Sequence, residues 1–94
     1  MDIERTRTFE QHFRQRAGRK MKRLFHKKLV VFMKNPHDKS LRKHALSHQW
    51  AGCWSFSLTD ESGQDDFRVI FEETKSGYLF VDFGTHDQVY RPWR

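Results

Sequence analysis

The chain has 94 residues with eighteen Lys and Arg against twelve Asp and Glu, a formal charge of +6, and reads as one small basic domain over residues 1–94. A single cysteine, Cys53, excludes an internal disulfide and fits a reducing, cytoplasmic setting. The longest apolar run, Leu29 to Met33, excludes a membrane span, and the charged opening MDIERTRTFEQHF has no apolar stretch of the kind that directs secretion.

The charge is unevenly spread. Residues 1–48 hold fourteen Lys and Arg against four Asp and Glu, whereas residues 49–94 hold four against eight. So basic a first half suggests a polyanion or an acidic partner chain, or else a solvated helical face. Nine Phe and three Trp supply the bulk for a small core.

In chain order, Ile3 to Thr8 reads as a first strand, and FEQHFRQR places Phe9 and Phe13 four apart, as a short helix does. Gly18 interrupts it. From Arg19 to Lys34, the apolar residues Met21, Leu24, Phe25, Leu29 and Phe32 recur at spacings of three and four, which predicts an amphipathic helix. Lys20, Lys22, Arg23, Lys27 and Lys28 fill its other arc. The helix should stop near Asn35, since Pro36 disfavours helical geometry in the residue before it. Asp38 to His48 reads as a connection anchored by Leu41 and Leu46.

The period then changes to two. In CWSFSLT, Trp54, Phe56 and Leu58 alternate with Cys53, Ser55 and Ser57. DESGQDD is a polar turn. Phe67, Val69 and Phe71 alternate with Asp66, Arg68 and Ile70; EETKSG turns again; Tyr78 to Phe83 form a nearly all-apolar strand expected at the centre of the sheet, followed by a short tail, THDQVY. The predicted fold is α+β, β-α-α-β-β-β, an antiparallel sheet with two N-terminal helices on one face.

If Phe67, Val69 and Phe71 meet the helices, Asp66 and Arg68 lie on the open face. His86 and Tyr90 follow the neighbouring strand, and His44, at the end of KSLRKH, can fold over the same face. An acid, a base, a guanidinium and aromatic rings in one concave site suit metal-free RNA cleavage. One group takes the ribose 2′-hydroxyl proton, another protonates the departing 5′-oxygen, the guanidinium stabilises the phosphorane, and a ring stacks a base. Each residue alone also has a plain structural reading: an exposed ion pair for Asp66 and Arg68, a turn residue for His86, packing for Tyr90. His44 and His48, four apart, have no Glu between them and no further ligand pattern, so neither a metal nor another cofactor is expected.

NPHDKSLRKHAL, GCWS, DFRVIF and GTHDQVY together resemble the RelE/ParE superfamily of bacterial type II toxins, in particular the RelE/StbE and YafQ-like mRNA interferases, over residues 30–90. The resemblance implies a toxin that enters the ribosomal A site and cuts mRNA to a 2′,3′-cyclic phosphate and a 5′-hydroxyl. It also implies a small cognate antitoxin, with the pair able to sit on operator DNA. Carried over by position, it gives His44, Asp66 and His86 proton transfer, with His86 as acid and either Asp66 or His44 as base. Arg68 goes to the scissile phosphate and Tyr90 to base stacking or positioning. The basic residues Lys20, Lys22, Arg23, Lys27, Lys28, Arg42 and Lys43 go to RNA. His48 stands where relatives have glycine, and the segment between Thr59 and Asp66 is longer than theirs. The superfamily also contains toxins directed at gyrase, and an inactive copy would serve only as an antitoxin-binding corepressor. The terminal His and Tyr favour the nuclease.

Overall fold

A computed structural model describes residues 2–59 and 66–90. The elements are β1 (Asp2–Arg5), α1 (Arg7–Arg16), α2 (Arg19–Lys34), β2 (His44–Ala45), β3 (Trp54–Thr59), β4 (Asp66–Glu73), β5 (Gly77–Thr85) and α3 (His86–Tyr90). Apart from Asp66, the expected turn DESGQDD lies outside the described residues.

The first strand is shorter than its sequence pattern suggested because Thr6 begins a helix. Its hydroxyl accepts the Phe9 amide at 3.0 Å and donates to the Val81 carbonyl at 3.0 Å, which caps α1 and ties it to β5 together. Gly18 opens α2, which ends at Lys34 with an extended Asn35 before Pro36, as that proline requires. The apolar stripes of α1 and α2 bury Phe9, Met21, Phe25 and Phe32 against Phe56, Leu58, Val69, Phe71, Phe80 and Phe83. Most ring pairs of this core meet tilted or edge-on, at centroid separations such as 5.3 Å for Phe32–Phe71 and 5.6 Å for Phe9–Phe80, while Phe32 and Phe56 stack.

The five strands run in the order β1-β5-β4-β3-β2. β2 to β5 pair antiparallel, but β1 pairs parallel with β5, so the sheet is mixed rather than purely antiparallel. Only strands joined by tight turns are bound to run antiparallel. β1 is instead joined through two helices, and the pairing brings Gly77 against the Asp2 backbone, where a Cβ would collide with main-chain atoms.

β4, not β5, is the central strand. The apolar run of β5 has another cause: a register shift opposite Ile70/Phe71 leaves Val81 without a partner, which brings both Phe80 and Phe83 to the helix side. Beyond β1, the edge of β5 is covered by α1. The Thr6 amide donates to the Phe80 carbonyl at 3.0 Å, and the Arg16 guanidinium donates to the Phe83 carbonyl at 2.9 Å. His12 Nδ1 meets the buried Asp82 carboxylate at 2.6 Å, and the same oxygen accepts the Phe83 amide at 2.7 Å.

The connection 38–48 carries more order than its sequence suggested. A short 3-10 turn at Lys39–Leu41 buries Leu41, β2 adds two residues to the sheet edge, and a second 3-10 turn spans His48–Trp50. Leu46 is only half-buried. No helix of the described residues is long and apolar enough to cross a membrane.

Candidate active site

The face of the sheet away from the helix core is built row by row. Across β3, β4 and β5, Ser55, Ile70 and Asp82 form one row, and Ser57, Arg68 and Gly84 the next, with Thr59 beside Asp66. β2 sets His44 opposite Ser55, on the same face. The small neighbours Ser57 and Gly84 leave room for the Arg68 side chain to lie along the sheet, with only 16% of it exposed.

Arg68 joins the other groups. One terminal nitrogen donates to Asp66 Oδ2 at 3.2 Å, and the other lies 3.5 Å from His44 Nε2. Its Nε is shielded from solvent and has no acceptor among the described residues, a hydrogen-bonding deficit of the kind an anion would relieve. His44 is held at both ring nitrogens. Nδ1 lies 3.1 Å from the Arg42 carbonyl, which can only accept, so Nδ1 carries the proton. In the neutral imidazole Nε2 then keeps its lone pair, facing the Ser55 hydroxyl at 3.4 Å and the Arg68 guanidinium.

α3 carries the other two residues. Thr85 and Gln88 satisfy one another's amides: the Thr85 amide donates to Gln88 Oε1 at 2.9 Å, and the Gln88 amide donates to Thr85 Oγ1 at 3.2 Å. This capping box, T-x-x-Q, turns the expected tail into a helical turn. Trp50 Nε1 donates to the Val89 carbonyl at 2.8 Å, and Val89 is buried, so the turn is pinned to the sheet. His86 and Tyr90 then fall four apart with ring centroids 4.6 Å from each other. The His86 side chain is 57% exposed, with the Asp87 carboxylate 3.7 Å from Nδ1.

Four of the five expected catalytic positions, His44, Arg68, His86 and Tyr90, line one open cleft of about 420 Å³ together with Ala45, Leu46, Ser47, His48 and Gln49. Asp66 is not in that cleft. It lies one row further along β4 and lines an adjoining depression of about 360 Å³ with Arg42, His44, Ser57, Thr59 and Arg68.

The expected RNA-contacting residues divide into three groups. Lys20, Lys22, Arg23 and Lys27 are exposed on α2, across the sheet from the cleft. Lys28 and Arg42 line a third depression at the β3 side. Lys43 lies apart from these groups. Its ammonium lies 4.5 Å from the Trp54 ring centroid and 4.0 Å from Glu73, with only 9% of the side chain exposed, so it is a packing residue on the helix-side face. Elsewhere, hydrogen bonds from the Ser40 hydroxyl and amide hold the Asp38 carboxyl below its ordinary range, and burial pushes the Cys53 thiol up, which suits an unreactive residue. Among the described residues, no three His, Cys, Asp or Glu side chains converge as metal ligands would.

Sequence reasoning missed the serines and threonine of β3, Trp50 and Gln88. The signals were present as SFSLT, whose hydroxyls recur at period two, and as the T-x-x-Q spacing.

No family model and no curated protein matches the chain. Solved structures do. YafQ from Escherichia coli strain BL21(DE3) superposes with a TM-score of 0.72 at 18% identity, covering 95% of this chain and 97% of that one. The YoeB/ParE toxin from Agrobacterium tumefaciens gives 0.71 at 18% identity over 92% and 99%. The E. coli DinJ–YafQ toxin-antitoxin complex gives 0.65 at 20% identity over 95% and 96%. At such identities the likeness is one of fold, and the chain has the RelE-like toxin fold that its motifs led one to expect.

Proposed function

We propose that the protein is the toxin of a type II toxin–antitoxin pair, a ribosome-dependent endoribonuclease that cleaves mRNA by acid–base catalysis. The observation that carries this reading is the shared cleft of His44, Arg68, His86 and Tyr90. His44 Nε2, with its lone pair available, takes the proton of the ribose 2′-hydroxyl as the 2′-oxygen attacks phosphorus. The bond from phosphorus to the 5′-oxygen breaks, and protonated His86 gives its proton to that oxygen. The products are a 2′,3′-cyclic phosphate and a 5′-hydroxyl. The exposure of His86 suits an acid that must be reloaded from solvent. Arg68, pre-oriented by Asp66, meets the charge developing on the phosphorane, and Tyr90 stacks the base that follows the cut. Asp66 thereby becomes a positioning residue, and His44 the base.

The exposed cations of α2 hold rRNA through phosphate contacts at the A site, away from the chemistry. A cognate antitoxin would cover the toxin; the DinJ–YafQ neighbour is such a complex. Cleavage of mRNA on programmed ribosomes tests the roles. His86→Ala and His44→Ala should each slow cleavage by about 10²–10⁴-fold, the range for a lost proton-transfer group. His44→Ala should also remove the limb of the pH–rate profile that reports the base, which His86→Ala retains. Full-speed cleavage by either variant would remove that residue from the mechanism.

A further inference from the structure

The face that holds the site is a continuous groove. The cleft of His86 and Tyr90 shares His44 and Arg68 with the depression of Asp66, and that depression shares Arg42, Ser57 and Thr59 with the third. The third, about 430 Å³, is lined by Lys28, Lys39, Ser40, Arg42, Ser57 and Thr59: three cations, three hydroxyls and, among the described residues, no carboxylate. The nearby Asp38 is turned to the amide and hydroxyl of Ser40. Lys28 reaches across from α2 to donate to the Ser40 carbonyl at 3.3 Å, leaving two further donors. Along the floor, β3 sets Ser55 beside His44, Ser57 beside Arg68 and Thr59 beside Asp66.

We propose that this cationic end is a subsite for the RNA phosphates on the 5′ side of the scissile bond, so that the strand crosses the sheet in one direction. The inference rests on the nuclease reading above. The base acts on the nucleotide that precedes the scissile phosphate and the acid on the one that follows. His44 borders the depression that leads to Arg42, whereas His86 and Tyr90 border the far cleft and not that depression. The upstream strand therefore leaves past Arg42 into the pocket of Lys28 and Lys39, and the downstream nucleotide stays at Tyr90. Polyanion recognition of this kind needs cations and hydroxyls and no sequence-reading edge.

The test is a binding titration of the full chain with 2′-O-methyl oligonucleotides, which cannot be cut, followed by NMR and by anisotropy over a range of salt. One oligonucleotide carries neutral methylphosphonates upstream of its central linkage, another downstream. Wild type should lose affinity more with the upstream version. Lys39→Glu and Arg42→Glu should each weaken the fully charged oligonucleotide and cut its salt slope by about 0.7 for every phosphate they cease to neutralise. They should also abolish the upstream preference, while Lys75→Glu, in the exposed β4–β5 turn, changes nothing. Lys39→Gln gives the same comparison without a charge reversal. Unchanged upstream sensitivity in the Lys39 and Arg42 variants, a downstream preference, or no binding would overturn the subsite. Cleavage is not needed for this readout. A chain that shows the upstream preference but never cuts mRNA keeps the subsite and loses the nuclease, and one that cuts with Lys39 and Arg42 indifferent does the reverse.

Discussion

Position 48 holds a histidine whose φ of 57° lies in the left-handed region, where a Cβ costs roughly 1–2 kcal/mol and glycine nothing. The sequence had already marked it, since the toxins it resembles carry glycine there; the structure supplies the backbone reason. His48→Gly should raise stability by about 0.5–1 kcal/mol after the entropy of the freer chain is deducted. Thermal unfolding would then move up by a few degrees. An unchanged or lower midpoint would mean that the His48 side chain makes up for its backbone. Other single residues were legible to different depths. Period two alone sent Arg68 and Asp66 to the open face. It could not say that Asp66 sits beyond Arg68 in a separate depression, which depends on how the side chains share one guanidinium. Nor could it give the tautomer of His44, fixed by a carbonyl two residues back on a residue with φ of 51°.

Among the elements, α2 was readable to its last residue because a sixteen-residue amphipathic stripe and a following proline are strong local signals. α3 was not, since five residues give no periodicity, and only its cap declared it. That cap sets both His86 and Tyr90. Gly84, just before it, has the Arg16 guanidinium and the Gln88 side chain where a Cβ would sit. Thr85→Ala should cost about 1 kcal/mol of stability. With Gln88→Ala it should lower kcat more than it raises KM, as His86 loses its place over the phosphate. An effect confined to stability, with kcat intact at a temperature where the variant is folded, would show that the helix core and Trp50 suffice to hold α3. The register of β5 against β4 was illegible for a related reason. The unpaired Val81 depends on α1 covering the strand edge, a contact between residues some seventy positions apart.

At the scale of the molecule, the division of labour follows from the sheet. One face is filled by rings from both helices, and the other, Ile70 apart, is left to polar groups at alternate positions of the same strands. That much is written in the alternation. The parallel β1 is not, because its partner is the last strand and no turn connects them. The division also separates Lys20, Lys22, Arg23 and Lys27 of α2 from the cleft, as the proposed reading, with one polyanion held at the back and another worked on at the front, requires. The central claim is that the front face cuts translated RNA. It is tested most directly by primer extension on cellular mRNA after brief induction, comparing wild type with His86→Ala. In-frame cuts within translated messages are predicted for wild type alone, with the variant still bound by its antitoxin. Growth arrest with intact messages, or the same cuts from the variant, would contradict it.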